Sequence, residues 1–218
     1  MRIEPPDGGA QFCPTLRQDQ GCADNWAMAS GAAPRVPVMA IGVVFETHAL
    51  TEDNEQGVAT GWLPGRLSEQ GRRNAVEMGR RRRDDGIVAV FCSDLWRSVQ
   101  TARIAFGDSG IPVLYDWRLR ETDFGARNGS PGAEVKRDRL DFCDRPYPGG
   151  GESHTQAITR NGRCLADLPT RWDGQRVMVI GHLATYRALE RATTGRSVRE
   201  LVAADFQWRP EGWQYQLD

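Results

Sequence analysis

The chain has 218 residues, enough for one domain with a core of its own, and its 28 basic and 29 acidic residues leave a formal net charge of −1. With charges this balanced, no whole-molecule field favours nucleic acid or an anionic membrane as partner, so any anion must be caught locally. The five cysteines, Cys13, Cys22, Cys92, Cys143 and Cys164, are odd in number and lack C-x-x-C spacing; they read as reduced thiols in a cytoplasm and speak against zinc. No apolar stretch approaches the ~20 residues that span a bilayer, and "NWAMASGAA" lacks the layout of a signal peptide. A soluble, unexported, cytoplasmic protein is expected.

Residues 1–35 are rich in Gly, Pro, Gln, Asp and Ala without a sustained period. They read as a flexible extension or part of an over-long gene start, with Met28 as an alternative start and the folded domain at 36–218. From Val36 the pattern changes. "VMAIGVVF", "IVAVFC" and "RVMVIG" are short, β-rich runs apolar on both faces, as inner strands of a parallel sheet require when helices cover both sides.

Helical patterns lie between these runs. "SEQGRRNAVEMGRRRRDDG" opens on Ser68 as an N-cap and closes on Gly86 as a C′ residue; Arg80 to Arg83 read as a solvated helix end favoured by the dipole. "SDLWRSVQTARIAF" places Leu95, Val99, Ala102 and Phe106 on one face, and "LATYRALERAT" follows the last inner strand. The alternation predicts a three-layer α/β/α sandwich around a mostly parallel sheet. Tyr115 to Gly151 reads as loops with one short helix, and "FQWRPEGWQYQLD" as two short edge strands joined at Pro210, Glu211 and Gly212.

In open α/β sheets, ligands sit beyond the carboxyl ends of the strands, and there this chain places its unusual residues. His48 follows the first strand, and His182 follows the last inner one. Each alone reads equally well as a hydrogen-bonded structural histidine; together, at equivalent strand ends, they point to chemistry. His154, in "GGGESHTQ", reads as rim or surface. Ser93 and Asp94 end a third strand and read as helix caps, whereas Arg97, one turn into the helix, suits an oxyanion. Glu121, in "RLRETDFG", is either a general acid or a partner for Arg118 or Arg120; the residues alone favour the ion pair.

The ordered blocks "THALTEDNEQG", "GRLSEQGRRNA", "SDLWRSVQTA", "LRETDFG", "GGGES" and "VIGHLATYRAL" resemble the histidine phosphatase superfamily, the phosphoglycerate-mutase-like fold. The resemblance covers nearly everything after the extension. It implies a phosphomonoesterase that needs no metal and no cofactor and acts on a small phosphorylated metabolite through a phosphohistidine. It puts His48 at the nucleophile, Glu121 at the proton donor, His182 and Arg97 in the phosphate pocket, and Thr51 and Asn54 on polar positions of the first loop. Trp62, Phe124 and Arg127 are candidates for the substrate rim.

The chain departs from this family where the signature Arg-His-Gly reads Thr47-His48-Ala49. One guanidinium is missing, and Glu46 brings a carboxylate close, either held by an arginine or pointing away. Leu183 replaces a small residue after the second histidine. Arg187 is either a support behind the site or a helix-surface arginine. Two other functions follow from these features: a mutase, disfavoured because no extra basic cluster for a second phosphate is visible, and a non-catalytic phospholigand binder, suggested by the missing arginine.

Overall fold

The computed structural model describes residues 40–218. The extension expected at 1–35, the alternative start at Met28, Cys13, Cys22 and the first residues of "VMAIGVVF" lie outside the described residues. In chain order come β1 (Ile41–Thr47), α1 (Glu52–Glu55), β2 (Val58–Ala59), α2 (Glu69–Arg82), β3 (Ala89–Cys92), α3 (Trp96–Phe106) and β4 (Val113–Tyr115). Then follow β5 (Ser130–Pro131), α4 (Gly132–Asp138), α5 (His154–Trp172), β6 (Arg176–Gly181), α6 (Leu183–Thr194), α7 (Val198–Ala203) and β7 (Trp213–Leu217).

Five strands form one sheet in the order β4-β3-β6-β1-β7. The first four are parallel, and β7 runs antiparallel along β1. Alternation along the strands feeds two cores. Val43, Phe45, Phe91, Val177 and Val179 face Ile158, Leu165 and Leu189 of α5 and α6. Val90, Cys92, Met178 and Ile180 face Met78 of α2 and Ala102 and Phe106 of α3. Each such side chain, fully buried, contributes roughly 1.5–3 kcal/mol of hydrophobic stabilisation. The expected three-layer sandwich is the observed fold.

Several local expectations need correction. The tail forms one edge strand, not two. Residues 206–209 are irregular because β7 already occupies the edge of β1, and the turn at 209–212 closes through Gly212 N to Arg209 O at 3.1 Å. Ser68 caps α2 as expected, its Oγ accepting from Gly71 N, but the helix ends at Arg82, so Gly86 lies in the following turn. Arg82 is not solvated: it is buried against Glu46 and Asp85, while Arg80, Arg81 and Arg83 are exposed. His154 is not on the surface. It opens α5, is buried, and meets Tyr147 Oη through Nε2 at 3.3 Å.

Candidate active site

The parallel strands bring their carboxyl ends to one edge. Thr47 pairs with Gly181, and His48 N continues the ladder by donating to Gly181 O at 3.0 Å. His48 and His182 therefore stand side by side, ring centroids 5.0 Å apart. The Nδ1–H of His48 donates to the Ala49 carbonyl at 2.8 Å, which leaves the Nε2 lone pair outward. Toward that lone pair comes Arg97 Nε, at 3.2 Å.

Arg97, the second residue of α3, is almost fully buried. Its Nη1 and Nη2 donate to the carbonyls of Leu63 and Gly61 at 3.1 and 2.8 Å, and Nη2 also reaches His182 Nδ1 at 3.4 Å. Gly61 has φ +55°, and a Cβ there would run into Asn128, so the loop that presents its carbonyl to Arg97 requires glycine. On the far side of its ring, His182 Nε2 meets Ser93 Oγ at 2.7 Å. Ser93 is thus a partner of His182 and not the helix cap expected; Leu95 holds the N-cap position of α3. Asp94 is not a cap either, but takes two hydrogen bonds from Arg120.

Burial first, and then the charge of Arg97, pushes the His48 imidazole down to about 3. The same two causes, with His48 itself as a further one, hold His182 well below its ordinary value. Both rings are neutral at pH 7. Burial also brings Arg97 down to about 10, so it remains a cation there.

Glu121 sits at the N-terminus of α6. Its carboxylate accepts from the backbone N–H groups of Leu183 (3.1 Å) and Ala184 (3.2 Å) and from its neighbour Thr122 (2.8 Å). The ion pair favoured on sequence does not form: Arg118 is bound to Asp116 and Asp167, and Arg120 to Asp94. The Glu121 loop is held from below by Arg160, buried on Glu152, which donates to the carbonyls of Arg118, Arg120 and Glu121. Neither Arg160 nor the Ser93 link was visible in sequence, because both depend on how α5 and α6 pack.

Two cavities, of about 640 and 330 Å³, share His48, Asn54, Glu121, Leu183 and Phe206. Thr47 and Glu46 border the larger, with Trp208 and Pro210. Asn54 lines both, and its Oδ1 closes a capping box with Thr51, which is buried as the cap of α1 and does not line either cavity. Of the three rim candidates, Phe124 lines the smaller cavity. Trp62 instead donates its Nε1–H to Glu121 O at 2.6 Å and lies under the guanidinium groups of Arg120 and Arg160. Arg127 is turned away, paired with Asp138. Glu46 is 5% exposed and gripped by Arg81 and Arg82, both at 2.7 Å, which settles the alternative left open for it. Arg187 is no surface arginine: it is buried and lines the smaller cavity with Lys136 and Arg139. An extra basic cluster is therefore present, against the sequence-based expectation; α4 packing brings together residues that look like scattered surface charges.

Paired strand-end histidines, a buried arginine and a carboxyl over a helix N-terminus meet at the carboxyl edge of the sheet, where open α/β folds hold their ligands. Residues 43–207 match the model of the histidine phosphatase superfamily (branch 1), and the chain belongs to that family. It is 38% identical over 185 residues to a 2,3-bisphosphoglycerate-dependent phosphoglycerate mutase of Corynebacterium jeikeium, covering 67% of this chain and 72% of that one. Among solved structures, a mycobacterial glucosyl-3-phosphoglycerate phosphatase complexed with VO3 superposes with TM-score 0.67 at 26% identity, covering 83% of this chain and 92% of that one. Bacillus stearothermophilus YhfR gives 0.70 at 24% identity, covering 78% and 88%, and bears on the fold alone. Relatives thus include both phosphatases and mutases. No described helix is long and apolar enough to cross a membrane.

Proposed function

We propose that the protein is a phosphomonoesterase that hydrolyses a small phosphorylated metabolite through a phosphohistidine at His48. The observation that carries this reading is the neutral His48 ring, its Nδ1–H fixed on Ala49 O and its Nε2 lone pair facing a buried guanidinium. In the first step Nε2 attacks phosphorus and the ester P–O bond breaks; the leaving oxygen takes a proton from the Glu121 carboxylic acid. In the second, water attacks phosphorus, Glu121 takes a proton from it, and the N–P bond breaks to release phosphate.

Arg97 and the Leu183 and Ala184 N–H groups would meet the phosphoryl oxygens. The last two are held by Glu121 itself, so a phosphoryl group entering there competes with the carboxylate. Displaced from these N–H groups, the Glu121 carboxyl group is free to approach the leaving oxygen, to which it delivers the proton. His182 has both ring nitrogens engaged, by Arg97 and Ser93, and acts by fixing the guanidinium. The superfamily arginine beside the nucleophile is replaced by Thr47, which leaves one cation fewer for the phosphoryl group and should make the enzyme slow.

A mutase is the second reading, favoured by the basic cluster of the smaller cavity and by the likeness to the corynebacterial mutase. A panel of sugar, glycerate and nucleotide monophosphates separates the readings. Phosphate release lost in His48→Ala supports the phosphatase, an isomerised ester without release supports the mutase, and neither product from any compound leaves only the phospholigand binder.

A further inference from the structure

The larger cavity is a groove between α2 and the segment that precedes β7. Asn74, Glu77, Met78 and Arg81, spaced i, i+3, i+4 and i+7, turn one face of α2 to it. Phe206, Trp208 and Pro210 complete the wall, and the groove runs to His48, His182 and Glu121 at the catalytic edge. The 206–210 segment is irregular but tied at several points. Phe206 packs against Tyr186 and Trp213, ring centroids 5.1 and 5.4 Å away. Arg82 donates to the Glu211 carbonyl, and Gly212, at φ +67°, has no room for a Cβ between Glu46 and the Phe45 carbonyl. Trp208 itself is 61% exposed, an indole held in the groove wall with most of its surface uncovered.

Every charged side chain in this wall is already engaged. Glu46 is held by Arg81 and Arg82, Glu77 by Arg80, and Glu121 by the backbone N–H groups of Leu183 and Ala184. The two neutral amides differ. Asn54 Oδ1 accepts from Thr51 N at 3.2 Å and Asn74 Oδ1 from Gln70 Nε2 at 2.7 Å, which leaves the NH₂ group of each as its donor to a ligand. A ligand arm carrying charge of either sign would lose its hydration here and find no unpaired counter-charge. An apolar ring gains both from leaving water and from stacking on the indole.

We infer that this groove holds the alcohol part of the substrate as an uncharged aromatic group, stacked on Trp208 and packed against Phe206. The inference deepens, and rests on, the reading of His48 as the group that takes the phosphoryl. Arg97, which meets the phosphoryl oxygens in that reading, lines the smaller cavity and not the groove, so phosphoryl group and ring occupy different spaces on either side of Glu121. Volume agrees: 640 Å³ lies within the range of roughly 300–1,000 Å³ that small-molecule sites occupy.

The test is binding, measured by calorimetry on the full chain carrying His48→Ala, which turns nothing over. Four esters are compared: methyl phosphate, benzyl phosphate, and benzyl phosphate bearing a para carboxylate or a para aminomethyl group. Benzyl phosphate should bind on the order of tenfold to a hundredfold more tightly than methyl phosphate, and either para charge should remove most of that gain. Adding Trp208→Ala, an exposed substitution that spares the fold, should reduce the preference for the ring severalfold, and Trp208→Phe should retain most of it. Equal affinity for the methyl and benzyl esters, tightest binding by a charged one, or a preference untouched by Trp208→Ala overturns the inference. Phosphate release by the wild type from benzyl phosphate is scored separately. Preference without release removes the phosphatase reading and keeps the aromatic site, release without preference does the reverse, and loss of both removes both.

Discussion

Arg97 Nε donates to Nε2 of His48 across 3.2 Å, so the guanidinium touches the nitrogen whose lone pair would attack phosphorus. In that contact the lone pair is blocked. An incoming phosphoryl oxygen offers the guanidinium a charged acceptor in place of a neutral one, and the lone pair is released as the substrate seats. Arg97→Lys keeps the charge but cannot hold Gly61, Leu63 and the phosphoryl group together. It should lower kcat/KM for p-nitrophenyl phosphate by roughly 10²–10³, comparable to losing one oxyanion donor. A loss below threefold would remove Arg97 from the phosphate site.

The three histidines make stability fall on acidification. His48 and His154 are brought from 6.5 down to about 3, and His182 is lowered as well, by burial first in every case. Between these values the unfolded chain binds protons that the native one does not, so stability is full above pH 6.5 and is lost as pH falls toward 3. Each ring should contribute roughly 1.4 kcal/mol per pH unit well below 6.5. Urea unfolding from pH 7 to 4.5 should show this slope, and His154→Gln should reduce it by about one ring's share. An unchanged slope would mean that His154 is not buried as a neutral ring.

Glu121→Gln should slow an alkyl phosphate far more than p-nitrophenyl phosphate, because only the poor leaving group needs a proton in the transition state. The gap should be on the order of 10²–10³. Equal losses for the two substrates would assign Glu121 to holding the α6 N-terminus and not to acid catalysis.

Thr47→Arg places a guanidinium beside the proposed nucleophile, where the resemblance of the sequence blocks implies an arginine. Because Glu46 is already held by Arg81 and Arg82, it is not free to capture a new guanidinium, so the single substitution should suffice. It should tighten inhibition by phosphate or vanadate by about tenfold to a hundredfold, the worth of one charge-assisted hydrogen bond of ~1.5–3 kcal/mol. Glu46→Val, by contrast, removes one of the two carboxylates that pair with buried Arg82, leaving Asp85, and should cost about 1–3 kcal/mol of stability. No gain in oxyanion binding from Thr47→Arg would mean that the site already has the cations it needs.

What could be read from the sequence was what adjacent residues decide. Val177 to Ile180 declare a strand buried on both faces, and a histidine directly after such a strand must lie at its carboxyl end. β4 has three residues, none fully buried, at the sheet edge, so no apolar run in the sequence marks it. His154 reads as surface because its neighbours are Gly, Glu, Ser and Thr; its burial comes from Tyr147 and Phe124, whose rings lie 5.7 and 6.5 Å from it but outside its local sequence pattern. The Thr51–Asn54 capping box turns Thr51 away from both cavities, whereas Asn54 lines both. Lys136 and Arg139 belong to α4 and its C-terminal cap and Arg187 to α6, and only tertiary packing turns these charges toward one cavity.

The central claim is that His48 accepts the phosphoryl group, and the direct measurement is acid-labile, base-stable label on the protein after rapid quench with a ³²P-labelled phosphomonoester. The account predicts label on a His48 peptide, formed faster than steady-state release of phosphate and absent in His48→Ala. Phosphate release at the wild-type rate by His48→Ala, or label on another residue, would contradict it.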